Sequence, residues 1–310
     1  WRMPMLSSFF LLASNVFQYI ARSRMLFALI GSGLSVASAA ILLTVGVLNG
    51  FQAMLADSER GWLADIVITP SGDARTIAES ARLESELATM EGVEAFSLRS
   101  QGQILVRYDE RKTSPFLTIG IDTASTEQTT QLSSRIIQGD FFESGMEHPN
   151  EAVLGKIIAD SLIGSADDGQ SAQVGDDIYI FSPTGESKRF RIRGIIDAKT
   201  FFPNWSLFLT KQEYEKIDAA GRNSHMVVKI KPNADVGVVI GALRDRFPRA
   251  NVRTWEDESK YVKDIMLAVS FITQSIHYLL VLTIFTIVSV VIYINISQKK
   301  RQIGILKSMG

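Results

Sequence analysis

Two long apolar stretches dominate the pattern of the chain. Residues 25–56 and 265–298 are runs of 32 and 34 residues without a formally charged side chain. A helix needs only about 20 apolar residues to cross a bilayer. The second run is rich in β-branched residues, which in water could form a buried strand, but its length without charge favours the membrane. We therefore predict a transmembrane helix at residues 26–50 and another within a long helix at residues 256–298.

Both predicted spans contain residues that favour contact with other helices. Gly31 and Gly33 lie in a run of small side chains, which allow membrane helices to approach closely. His277 is an ionisable group inside the second span, and such groups often face a bundle interior or a partner. We predict that these three positions serve transmembrane packing. A neutral imidazole near the outer interface is the alternative for His277.

The segment at residues 1–25 precedes the first span. Apolar side chains recur on one face of residues 8–21, which predicts a helix that lies at the membrane interface. Packing of the same face against the membrane helices is the alternative. A cleaved signal peptide is not expected, because the apolar core is too short and a full span follows it.

The region between the spans alternates between helical and strand periodicity. Residues 57–138 and 210–255 predict the two parts of one α/β subdomain, and residues 139–209 predict an inserted β-rich subdomain. The fold class is thus an α+β membrane protein with two membrane helices around a large extracytoplasmic domain. The individual predictions are helices at 74–90, 234–247 and 256–302 and strands at 65–69, 93–98, 103–108, 116–121, 177–181, 190–196, 224–231 and 251–254.

Charge divides along the same boundaries. The whole chain has 32 Lys+Arg and 33 Asp+Glu, a net charge of -1 that does not suggest a nucleic-acid partner. Residues 1–56 and 265–310 together carry a charge of +7, whereas the region between them carries -8. Lys and Arg favour the cytoplasmic ends of spans. We therefore predict a membrane protein with both ends of the sequence cytoplasmic and the central domain extracytoplasmic.

Few residues in the chain favour catalysis. The sequence contains no cysteine and only three histidines, so metal sites and nucleophilic triads are poorly supplied. The phosphate-binding pattern GxxxxGK[ST] is absent, so the chain itself should not hydrolyse nucleotides. His148 is expected in a solvated loop, and His225 at the edge of a strand. No catalytic residue, metal site or cofactor is predicted on this chain.

The segment at residues 299–310 follows the second span and is basic. Ile303, Leu306 and Met309 recur at helical spacing. Such a segment could lie along the membrane or place its apolar side chains in a groove of a partner. A simple basic stop-transfer anchor is the alternative.

The run from Arg301 to Gly310, RQIGILKSMG, resembles the coupling segment of FtsX/MacB-type ABC transporter permeases. It departs from the family pattern at Gln302, where a glutamate is usual. Further similarity lies at residues 139–141, 150–155, 174–176 and 193–195, in the order and spacing of the family's extracytoplasmic core. The sequence Asn49-Gly50-Phe51, which we also assign to transmembrane packing, is similar to an element of the lipoprotein-releasing LolC/LolE branch.

This resemblance implies a four-span permease of which the two spans here form the first half, with a porter-like α/β subdomain and an inserted sabre-like β subdomain. It also implies a location in the bacterial cytoplasmic (inner) membrane with the central domain in the periplasm. The implied partners are ABC ATPase subunits that carry ATP and Mg, a second permease subunit in a homo- or heterodimer, and the lipid membrane. The implied ATPase-coupling residues are Arg301, Gln302, Ile303, Gly304, Ile305, Leu306, Lys307 and Met309.

The function that the resemblance implies is transmission of ATP-driven motion to the extracytoplasmic side, where a lipoprotein or another hydrophobic cargo is extracted or released. Phe201, Phe202 and Trp205 are candidates for a loop that contacts cargo or a periplasmic carrier, with packing in the core as the alternative. Regulation of a cell-wall hydrolase and drug efflux are alternatives within the family. From a different class, a two-span sensor of an extracytoplasmic ligand would have the same topology.

Overall fold

A computed structural model describes residues 24–72, 74–108, 113–163, 171–218 and 223–308. The chain divides into two compact units, one formed by Trp1–Gln52 with Met266–Gly310 and the other by Ala53–Ile265. We call the first the membrane unit and the second the central domain. The helix predicted at residues 8–21 lies outside the described residues.

Two long helices account for the described part of the membrane unit. They are α1 (Arg24–Leu63) and α9 (Lys260–Ser308), and both extend into the central domain. Each contains a stretch that is long and apolar enough to cross a membrane, and the most apolar part of each stretch lies at the surface of the chain. Within the unit, the Gln52 Nε2 atom donates to the Met266 carbonyl oxygen and to the Ser270 Oγ atom, both at 3.0 Å. The two predicted membrane helices are thus confirmed.

The described part of the central domain has ten strands in one mixed sheet. The strands are β1 (Ile66–Pro70), β2 (Val93–Tyr108), β3 (Ser114–Ile121), β4 (Ile136–Gly139), β5 (Glu151–Gly155), β6 (Asp177–Phe181), β7 (Ser187–Ile196), β8 (Ser206–Thr210), β9 (Asn223–Ile230) and β10 (Ala250–Thr254). Their order in the sheet is β10-β1-β9-β2-β3-β8-β5-β7-β4, with β6 paired to both β2 and β7. Most neighbours are antiparallel, but β3 runs parallel to β8, and β5 parallel to β7.

Short helices connect the strands, and several begin at a polar cap of the expected type. Asp122, Thr210 and Asp235 each accept a hydrogen bond from a backbone N–H in the first turn of the helix that follows, which satisfies a donor that the helix itself leaves unpaired. The short helices are α2 (Ser80–Thr89), α3 (Thr123–Thr129), α4 (Lys156–Ile163), α5 (Phe201–Asn204), α6 (Lys211–Ile217), α7 (Val236–Arg246) and α8 (Trp255–Glu258), with a 3-10 turn at Ser133–Arg135.

Strand β2 joins the two predicted parts of the domain. The sequence predicted separate strands at residues 93–98 and 103–108, but the structure has one strand of 16 residues. Its first half pairs with β9, its last four residues pair with β6, and its middle pairs with β3. Because β6 lies in the predicted insertion, the insertion shares its sheet with the rest of the domain. The predicted subdomain boundaries themselves stay a prediction.

Three groups of buried apolar side chains form the core. One packs α2 and α7 against the β1, β2, β9 and β10 end of the sheet. The second packs α4 and α6 against the β5, β6, β7 and β8 end. The third includes the last residues of α1, Trp62 and Leu63, together with side chains of β1, β3, β5, β8 and β9. The end of a membrane helix is therefore part of the core of the central domain.

Two predicted helices have different bounds in the structure. The helix predicted at 74–90 begins only at Ser80, because Glu79 adopts a left-handed conformation with φ 57°. The continuous helix predicted at 256–302 is interrupted at Ser259, which has ψ 63° and separates the short α8 from α9. Ser259 is buried, so packing at this point overrides a sequence without Pro or Gly.

Candidate functional site

Four exposed aromatic side chains form a cluster on the central domain. Phe201, Phe202 and Trp205 lie on and directly after α5, and Tyr261 lies in the first turn of α9. They are 49, 45, 36 and 59% exposed, respectively. The rings of Phe201 and Trp205 are stacked, with centroids 5.9 Å apart, and Phe201 also contacts Phe202 and Tyr261 at 5.8 and 6.5 Å. We call these four residues the aromatic patch.

The turn below the aromatic patch is held by a buried polar network. The Asn204 side chain accepts a hydrogen bond from the Ala198 N–H at 2.8 Å and donates to Asp197 at 3.0 Å. Asp197 also accepts a hydrogen bond from the Lys199 ammonium at 2.6 Å. Burial alone would raise the pKa of Asp197, but the hydrogen bonds from Lys199 and Asn204 outweigh it and lower the pKa to about 2. The carboxylate is therefore charged at neutral pH and fixes the turn.

Gly155 allows this turn to approach β5 closely. A Cβ atom built on Gly155 would lie 2.3 Å from the carbonyl oxygens of both Pro203 and Asn204. Two backbone oxygens cannot move aside as the end of a flexible side chain can. The turn that carries three of the four patch residues is thus fitted directly against the end of β5.

The last turns of α1 contact the same region. Glu59 is buried in the central domain. The hydroxyl of Thr200, the residue directly before α5, donates a hydrogen bond to the Glu59 carboxylate. A cavity of about 100 Å³ lies at the end of α1. It is lined by Trp62, Leu63, Gln101, Leu117, Phe202, His225, Glu258 and Ser259. The end of α1, the patch-bearing turn and the α8–α9 junction therefore meet around one small cavity.

A buried arginine fixes the end of α1. Arg99 is only 1% exposed, and its guanidinium donates to the Trp62 carbonyl oxygen at 3.0 Å. The guanidinium carbon lies 4.1 Å from the centroid of the Trp62 ring, within the range of a cation–π contact. Burial lowers the pKa of Arg99 to about 9, so the side chain stays charged at neutral pH. A positive charge at a helix C-terminus also interacts favourably with the helix dipole.

The positions predicted to pack membrane helices are open in this single chain. Gly31, Gly33 and Gly50 have no atom within 4 Å of an added Cβ, and Asn49 and His277 are exposed. Phe51 is also exposed. A groove of about 320 Å³ separates α1 from α9 within the membrane unit. Its lining includes Ala37, Ala40, Leu280 and Ile284. The packing role of these positions stays a prediction.

The predicted coupling segment continues α9. The helix extends to Ser308, and Gly304 and Lys307 are exposed. Met309 lies outside the described residues. The ATPase-coupling role of residues 301–309 stays a prediction.

His148 lies in surroundings that differ from the predicted ones, whereas His225 lies near the start of a strand. His148 was expected in solvent, but it is buried, accepting a hydrogen bond from the Glu143 N–H and pairing with Glu151 at 2.9 Å. His225 lies opposite Arg99 in the β2–β9 pair. Burial, and then the nearby Arg99 charge, lower the pKa of His225 to about 4. Among the described residues, no group of three or more His, Asp or Glu side chains could hold a metal ion.

Three residues of the aromatic patch are candidates from the sequence alone, whereas Tyr261 and Arg99 are not. Tyr261 is far from Phe201 in the sequence, so their contact is not visible there. An aromatic residue among the charged residues of a first helical turn is the one local signal that marks Tyr261. Nothing in the sequence marks Arg99 as buried, because an arginine in a strand with one solvent-facing side usually points into solvent.

Comparison with known proteins identifies the family. The MacB-like periplasmic core domain family matches residues 27–246, which is more than half of the chain. No curated protein matches the sequence significantly. Among solved structures, the periplasmic region of MacB from Actinobacillus actinomycetemcomitans is similar, with 11% identity, a TM-score of 0.47, and coverage of 66% of this chain and 95% of that one.

The extracellular domain of the ABC-type transporter YknZ from Gram-positive bacteria is also similar, with 12% identity, a TM-score of 0.45, and coverage of 61% of this chain and 98% of that one. The narrower resemblance to the LolC/LolE branch stays a prediction. Because the family match includes most of α1 and the central domain as far as the end of α7, this chain belongs to the FtsX/MacB-type ABC transporter permease family.

Proposed function

We propose that this chain is a permease subunit that transmits the ATP-driven motion of a partner ATPase to its extracytoplasmic domain. The observation that carries the proposal is the continuity of α1 and α9. These helices have 40 and 49 residues, which at a rise of 1.5 Å per residue corresponds to about 60 and 74 Å. Each contains an apolar stretch long enough to span the membrane and continues into the central domain.

The anchoring of α1 supports this mechanism. Glu59, Trp62 and Leu63 are buried, and Arg99 bonds to the carbonyl oxygen of Trp62. Interiors are close-packed and transmit strain, so a displacement of these helical turns should move the strands packed on them. The contact from Glu59 to Thr200 extends this connection to the turn that carries the aromatic patch.

The source of the motion would be an ABC ATPase on the cytoplasmic side. The chain lacks a nucleotide-binding motif, so ATP and Mg would bind to the partner ATPase subunits. Basic residues next to both spans support cytoplasmic ends. In this arrangement the segment 299–310 would meet the ATPase, and a second permease subunit would complete the transporter.

The cargo that we propose is a lipoprotein or another hydrophobic molecule at the outer face of the inner membrane. The similarity of Asn49-Gly50-Phe51 to the lipoprotein-releasing branch supports this class. Extraction of a lipid-anchored molecule needs mechanical work at the membrane surface, because about 0.8 kcal/mol is lost for each CH₂ group that leaves the bilayer. Two rigid helices that end in a periplasmic domain are suited to that work.

Substitution in the coupling segment tests the proposal. In proteoliposomes that contain the permease and its ATPase, Leu306→Asp should abolish stimulation of ATP hydrolysis and transport, because a charge cannot enter an apolar groove without cost. Leu306→Met, which nearly conserves volume, should retain both. The thermal unfolding of the central domain should be the same in both variants. Full stimulation and transport by Leu306→Asp would overturn the proposal.

A further inference from the structure

The aromatic patch is an unusual surface for a domain exposed to water. Four adjacent aromatic side chains, each more than one third exposed, lie on one face. Aromatic side chains carry large apolar areas, and adjacent exposed groups of them usually mark an interaction site. The stacking of Phe201 on Trp205 covers only part of this area.

The patch is held in place without any occupant. Asn204 and Asp197 fix the turn from below, and Gly155 lets the turn lie directly on β5. The rings are therefore presented by a rigid support, and little conformational entropy would be lost when a partner covers them.

The position of the patch along α9 indicates what covers it. Tyr261 precedes Ile265, where the uncharged apolar run of 34 residues begins, by four residues of the same helix. At 1.5 Å per residue these two positions are about 6 Å apart along the helix axis. The ring of Phe201 lies 6.5 Å from that of Tyr261. The patch is thus about one helical turn from the start of this uncharged run, and both lie in the central domain.

The chemistry of the patch matches that position. Trp and Tyr combine an apolar ring with a polar group and are enriched where a membrane meets water. The residues next to Tyr261 include more acids than bases, namely Glu256, Asp257, Glu258 and Asp264 against Lys260 and Lys263. Attraction to anionic lipid headgroups is therefore not what would hold the patch at the surface.

We propose that the aromatic patch rests in the interfacial layer of the outer leaflet and supports the central domain on the membrane. Its rings enter the boundary between headgroups and acyl chains, and the contact is independent of lipid charge. This role does not require ATPase coupling, because it follows from the patch and from the start of the uncharged run alone.

Spin labelling tests the proposal, and the absence of cysteine from the chain makes it direct. A nitroxide is attached to Phe201→Cys or Tyr261→Cys in the full chain, reconstituted in phosphatidylcholine vesicles. Its collision rates with oxygen, which concentrates in the bilayer, and with a water-soluble nickel chelate are then measured. Matched controls are Val238→Cys, 69% exposed on the central domain, and Leu282→Cys, 60% exposed within the span.

The ratio of oxygen to nickel accessibility at both patch positions should be severalfold higher than at Val238 and should approach the value at Leu282. Adding phosphatidylglycerol should leave the ratio unchanged. A ratio equal to that at Val238 would overturn the proposal. Protection from both reagents would also overturn it, because it would show that a protein covers the patch. An effect that requires anionic lipid would contradict the independence from charge. Two label positions are used so that a local disturbance by one substitution does not decide the result.

Discussion

Gly155→Ala adds one methyl group at the point where the turn that carries the aromatic patch packs against β5. The added methyl group would lie 2.3 Å from two carbonyl oxygens, well inside van der Waals contact, so the turn at Pro203 and Asn204 must move away from β5. Gly155 is not among the glycines with positive φ, so the effect is one of space and not of backbone conformation. Overpacking of this kind costs about 1–3 kcal/mol. For a domain of this size, that corresponds to a decrease in Tm of about 2–12 °C.

The assay is thermal unfolding of the full chain in detergent, followed by tryptophan fluorescence, to which the buried Trp62 contributes. Gly241→Ala is the matched control, because Gly241 is exposed in α7 and has no atom within 4 Å of an added Cβ. There the same substitution should raise stability by about 0.5–1 kcal/mol, since alanine favours a helix interior. Opposite signs for the two variants are expected. An unchanged or raised Tm for Gly155→Ala would refute the close approach of the turn to β5.

Two further predictions concern pH. The pKa of His225 falls from 6.5 to about 4 on folding, so at pH values between these two the unfolded chain binds a proton that the folded chain does not. The free energy of unfolding should therefore decrease as the pH falls from 6.5 to 4. Unfolding curves of His225→Asn should lack this slope, and equal slopes would contradict the burial of the imidazole. The pKa of Asp197 falls from 3.8 to about 2, so its stabilisation is present above pH 3.8 and is lost as the pH falls through 2. Asp197→Asn should therefore be less stable than wild type at neutral pH, and the difference should disappear toward pH 2. A difference that persists at pH 2 would show that the charge is not the cause.

The sequence was informative where local pattern decides structure. Uncharged runs of 32 and 34 residues gave both membrane helices, and the alternation at residues 177–181 gave β6 with the same bounds. Phe201, Phe202 and Trp205 were recognised as candidates because three aromatic residues around a Pro-Asn turn are visible within five positions. A local pattern was sufficient in each of these cases.

The features that the sequence missed depend on contacts between distant segments. The strand β2 is continuous because β9, β3 and β6 each pair with part of it, and no local signal reports such pairing. Arg99 is buried because the end of α1 covers it with Trp62. His148 is buried because Glu143 and Glu151 supply polar partners that a loop sequence does not reveal. Tyr261 belongs to the aromatic patch because the fold brings Phe201, which is distant in the sequence, next to its ring.

A permease subunit of an ABC transporter must associate with an ATPase to act. The most direct measurement is isolation of the native complex from membranes in mild detergent, with identification of its subunits by mass spectrometry. We expect an ABC ATPase and a second permease subunit in stoichiometric amounts, with ATP hydrolysis that depends on the complex. Isolation of the chain in a stable, active membrane complex without any ATPase would contradict the account.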